Sequence, residues 1–120
     1  MNINAITNEP TKEANFKGIY KLSGVNVDKI KDKKEQEAAT ECLINAVILG
    51  ANMAVDNVKV STENDIPSTY FKIDDKNDAK FESTFKQIVD ECNKMFNTNL
   101  ASKIYIQKVN AEEYNKAQNI

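Results

Sequence analysis

Between residues 81 and 96 the apolar positions Phe81, Phe85, Ile88, Val89, Cys92, Met95 and Phe96 recur at intervals of three and four, which is one continuous face of a helix. The preceding DDKND, residues 74–78, offers Asn77 or Asp78 as an N-cap and places negative charge near the positive end of the helix dipole. The following NTNL offers Asn97 or Asn99 for a left-handed cap. A second helix is predicted over 33–51, where the helix formers EQEAATE precede Ala39, Leu43, Ala46, Val47 and Gly50 at helical spacing. Its second half is apolar nearly all round, which predicts deep burial.

Alternation with period two marks four strands. They are NFKGIYKL at about 15–22, AVDNVKVST at about 54–62, STYFKI at about 68–73 and SKIYIQKV at about 102–109. NDIP, with Pro67, reads as the turn between the second and third. Residues 1–14 show no periodicity and read as a flexible arm, 15–110 as a single α+β domain, and 111–120 as a short helical turn or tail.

The order βαββαβ predicts a ferredoxin-like fold, a four-stranded antiparallel sheet with both helices on one face. That architecture hosts many functions, so the function must be sought on its surfaces. The apolar side of each strand should meet the helices: Phe16, Tyr20 and Leu22; Val58 and Val60; Phe71 and Ile73; Ile104 and Ile106. The opposite side is expected to stay open, and it collects Lys17, Ile19, Lys21, Lys59, Tyr70, Lys72, Lys103 and Tyr105, with Asn57, Ser61 and Gln107 between them. This face carries five lysines, two tyrosines and no carboxylate in a chain whose net charge is −2.

Composition narrows the chemistry. All 16 basic residues are lysine, and neither arginine nor histidine occurs. The commonest general base and metal ligand is therefore missing, as is the bidentate fork that reads phosphates and guanine edges. The glycines at 18, 24 and 50 form no phosphate loop, and no serine or cysteine has a histidine to activate it. Adjacent Asp74 and Asp75 suit solvation better than acid–base work. DDKND departs from a calcium loop, with Ala79 at the sixth position and Phe85 at the twelfth. The lysines of KIKDKKE, residues 29–35, are largely offset by Asp28, Asp32 and Glu35. We expect no catalysis, no cofactor and no metal.

Cys42 and Cys92 each fall within an apolar helical stripe, and buried reduced thiols are preferred over a disulfide. MNINAITNEPTKE lacks the basic start and apolar core of a signal peptide, and CLINAVILGANMAV is broken by Asn45 and Asn52. A cytoplasmic protein with no membrane contact is expected. Ile19 between Tyr70 and Tyr105, with lysines around them, forms an apolar centre with a charged rim, which points to a protein partner or self-association. The alternative use of the same face is sequence-tolerant binding of single-stranded nucleic acid, with bases stacked on the tyrosines and lysines on the phosphates.

Overall fold

Strands β1 (Gly18–Ser23) and β3 (Ile66–Ile73) run antiparallel at the centre of a five-stranded sheet. The other strands are β2 (Lys59–Glu63), β4 (Tyr105–Lys108) and β5 (Gln118–Asn119), and the order across the sheet is β4-β1-β3-β2-β5. The structure, a computed structural model, describes residues 18–23, 26–63, 66–100 and 103–119. Lys17, Phe16 and the arm at 1–14 lie outside the described residues.

Helices α1 (Lys33–Met53) and α2 (Asp78–Phe96) pack together on one sheet face. Asp32 caps α1, its carboxylate accepting from the Glu35 amide at 3.0 Å. Asn97 ends α2 in the left-handed conformation, φ 56°. The start of α2 differs from expectation. A 3-10 turn, Asp75–Asn77, leads into it, and the Asn77 side chain makes no capping bond. Asp78 is drawn instead to a tyrosine of β1.

The main core forms where periodicity places it. Tyr20, Leu22, Phe71 and Ile73 from the sheet meet Ala38, Ala39, Cys42 and Ala46 of α1 and Phe81, Phe85, Val89 and Cys92 of α2. Small residues on α1 face large ones on α2, so the two interdigitate. At Gly50 an added Cβ would lie 2.4 Å from the Phe71 ring. The close approach of α1 to the sheet depends on that missing atom.

Four expectations are corrected. The sheet has five strands, because Gln118 and Asn119 pair with Val60 and Lys59. The segment 54–62 is strand only from Lys59; Asp56 folds its carboxylate onto the Asn57 amide at 2.8 Å and interrupts the alternation. Pro67 lies within β3, opposite Thr62 at the hairpin end, where its missing N–H is tolerated. The second half of α1 is not buried all round: Ile44 is 51% and Ile48 54% exposed. A helix on a single-sheet layer buries only the faces that touch the sheet and its neighbour, and no described element covers the outer side of α1.

Candidate functional site

A third helix, α3 (Ala111–Lys116), lies across the sheet face expected to be open. Asn110 caps it, its side-chain oxygen accepting from the Glu113 amide at 2.9 Å. Tyr114 then enters the sheet and forms a second small core with Ile19 and Tyr70, all three at most 6% exposed. The Tyr114 hydroxyl donates to the Asn57 carbonyl at 2.5 Å. The Tyr70 hydroxyl donates to Glu113 Oε2 at 2.9 Å and lies 3.3 Å from Ser61 Oγ.

The lysines of this face have local acidic and aromatic neighbours. Lys21 Nζ is 3.4 Å from Glu113, and Lys72 Nζ is 3.7 Å from Asp56. The Lys59 and Lys72 ammonium groups stand 4.6 and 5.0 Å from the centre of the Tyr114 ring, within cation–π range. Burial raises the pKa of Tyr70 and Tyr114, with the neighbouring carboxylates Glu113 and Asp56 adding to the effect. The face is thus covered at its centre, and the expectation of an open platform is corrected. Ile19 and two tyrosine rings leave water together when the C-terminal turn folds back, and Glu113 supplies the charge that the lysines lacked.

Five of the predicted residues, Ile19, Lys21, Lys59, Tyr70 and Lys72, are brought together under or beside α3. Lys103 is not among them; it precedes β4 and pairs with Glu35 in the first turn of α1. Tyr105, on β4, stays 45% exposed away from α3.

An apolar concavity lies elsewhere, between α2 and the edge strand β4. It is a groove of about 570 Å³ whose floor includes Phe85, Val89, Ile104 and Ile106. One end carries a polar cluster. The Tyr20 hydroxyl is 2.7 Å from Asp78 Oδ1 and also hydrogen-bonds to Glu82, one helical turn on. Lys108 Nζ sits 3.4 Å from Asp78 and 3.7 Å from Glu82. Burial, then the two carboxylates, push the Tyr20 pKa far up, so the phenol remains a donor and is no base at neutral pH. Gly18 makes room for this cluster, since a Cβ there would lie 2.2 Å from both Asp78 Oδ1 and the Tyr20 ring.

The backbone of β4 matters as much as its side chains. Val109 N–H donates to the Ile19 carbonyl at 2.8 Å. By the alternation of an antiparallel ladder, Tyr105 and Gln107 also face β1, while Ile106 and Lys108 turn their N–H and C=O outward. No described strand pairs with that outer edge.

Residue patterns alone do not show that Tyr20 meets Asp78 and Glu82, because strand and helix positions far apart in sequence converge there. The α3 cover was partly legible: Asn110 followed three residues later by Glu113 is a capping signature, and Tyr114 is the one large apolar residue of that turn. Among the described residues no cluster of three or more Cys, Asp or Glu could hold a metal ion, and no helix is long and apolar enough to cross a membrane. No protein-family model matches the chain, and neither curated proteins nor solved structures include a match.

Proposed function

We propose that this chain is a small non-enzymatic binding module that takes an extended segment of a protein partner along the outer edge of β4. Its core elements follow the ferredoxin-like βαββαβ order, with α3 and β5 added at the C-terminal end. The observation that carries the reading is the outward backbone edge of Ile106 and Lys108, with which no described strand pairs, beside the apolar groove of α2. An added strand gains main-chain hydrogen bonds from such an edge and places every second side chain in the groove. The rim carries Glu82, Asp90, Lys86 and Lys108, two charges of each sign, which suits a neutral apolar segment. The alternative, single-stranded nucleic acid on the Lys/Tyr face, is less well supported, because Tyr70 is buried and Lys21 and Lys72 have acidic partners.

The test is selection of displayed random dodecapeptides on the purified chain, followed by affinity measurement against Ile106→Pro and Ile106→Val. Proline removes the outward N–H; valine keeps it. The expected result is peptides with alternating apolar positions whose affinity falls at least about ten-fold for proline and little for valine. Equal loss in both variants, or selected peptides indifferent to both, overturns the reading. A dimer that Ile106→Pro dissolves would assign the edge to a second copy.

A further inference from the structure

The outer surface of the two-helix layer carries a separate feature. Ile44, Ile48 and Met95 are 51%, 54% and 71% exposed. Met95 and Ile48 line a trough of about 450 Å³ between α1 and α2, with Leu49 and Ile88 beside them. Ile44 stands one helical turn before Ile48 on the same side of α1. This is the surface that the all-round apolar pattern of α1 leaves in water.

Charge distinguishes this trough from the edge groove. Its charged lining residues are Glu41 and Glu91. Glu41 also borders an adjoining concavity whose other charged residues are Asp28 and Glu37. Among the described residues, four carboxylates and no lysine line the two concavities, in a chain with nearly as many lysines as acids. Both Glu41 and Glu91 act electrostatically on Cys92, at the trough floor, raising its pKa beyond the larger effect of burial. Their negative field thus extends into the seam between the helices.

We infer that this trough is a docking site for an amphipathic helix of a partner protein, with apolar residues on one face and lysine or arginine at its flanks. Two arguments select that occupant. The walls are helices whose backbone groups bond internally, so an incoming segment finds no main-chain partners and must satisfy its own, as a helix does. The charged residues of the lining are all acidic, Glu41 and Glu91 in the trough and Asp28 and Glu37 in the concavity that adjoins it at Glu41, so a basic flank on the incoming helix complements that end. A second copy of this chain is disfavoured, because its matching surface offers the same acidic lining and not the basic flank that complements Glu41 and Glu91. Nucleic acid is repelled for the same reason. The site is distinct from the β4 edge, and the two can be filled or lost independently.

The experiment uses two fluorescein-labelled synthetic helices of about 18 residues, roughly the 24 Å spanned by residues 36–52 of α1. One has a leucine face and lysine flanks; the other keeps the leucine face and replaces every lysine with glutamate. Anisotropy titrations are run against the native chain, Ile48→Asn/Met95→Gln and Glu41→Gln/Glu91→Gln. All the substituted positions are exposed, and circular dichroism checks that the variants are folded. The lysine peptide should bind the native chain, about ten-fold more weakly after the apolar substitutions and several-fold more weakly after the acidic ones; the glutamate peptide should not bind. Equal binding of both peptides, no binding of either, or affinities unmoved by both variants overturns the inference. So does a native dimer, seen by light scattering, that Ile48→Asn/Met95→Gln converts to monomer.

Discussion

Replacing Tyr114 tests the covering of the sheet by α3 directly. The ring is 2% exposed and packs on Ile19 and Tyr70, its hydroxyl donates to the Asn57 carbonyl, and two lysines stand over its face. Truncating a buried aromatic to alanine costs about 3–5 kcal/mol when the surroundings stay in place. Losing the hydroxyl alone, and with it one part-buried hydrogen bond to the backbone of an exposed residue, costs about 0.5–1.5 kcal/mol. Tyr114→Phe should therefore cost roughly 1 kcal/mol. Tyr114→Ala should cost about 3 kcal/mol, the low end of the range, because a six-residue helix can undock and so limit the loss. Urea denaturation followed by circular dichroism reads the totals, and hydrogen exchange reads the mechanism. In the alanine variant the Val109 amide, bonded to the Ile19 carbonyl, should lose protection while β1 and β3 retain theirs. An alanine variant within about 0.5 kcal/mol of native, with protection unchanged at Val109, would show that α3 is not held by this residue.

Three other outcomes follow from the packing and the titrating groups. Gly50→Ala should lower stability by about 1–3 kcal/mol despite a gain in helix propensity of about 1 kcal/mol, because the new Cβ meets the Phe71 ring; a raised melting temperature would contradict the close approach of α1. Burial pushes the Cys42 thiol up to about 12 from its ordinary 9.0, and Cys92, Tyr20, Tyr70 and Tyr114 are raised too. Above about pH 9 the folded chain thus holds protons that the unfolded chain releases, so stability should be level from pH 7 to 8 and fall beyond it, by up to about 1.4 kcal/mol per pH unit for each group. Urea midpoints at pH 7, 8.5 and 10 measure this, and Cys42→Ala should reduce the alkaline slope; a flat profile to pH 10 contradicts the burial. Both cysteines are free and buried, so a thiol-specific reagent at pH 8 should react slowly with the native chain and rapidly in urea. Fast native reaction at both sites would mean that the α1–α2 seam opens readily.

The parts of this protein legible in its sequence are those decided over a few residues. The spacing from Phe81 to Phe96 defines α2, and all of its buried residues come from that stripe. Asn97 in the left-handed cap follows from a residue type that tolerates positive φ. The alternation in β1 and β3 assigns Tyr20, Leu22, Phe71 and Ile73 to the helix side, where they form the core. Boundaries were less legible. Asp56 stops one strand early through its own backbone contact, and Asp78 leaves capping for Tyr20.

Periodicity states which side chains share a face; it does not state whether that face meets water. Ile19, Lys21, Tyr70 and Lys72 do share one, as alternation requires, yet Tyr114 and Glu113 arrive from the end of the chain to cover it. Conversely, the apolar second half of α1 reads as buried, and the single-sheet architecture leaves Ile44 and Ile48 in solvent. Sequence by itself determined the elements and their two-sided patterning, because those depend on neighbours one to four residues away. Only the tertiary structure decided which surfaces remain available to a partner, because burial depends on segments distant in the chain that meet through packing.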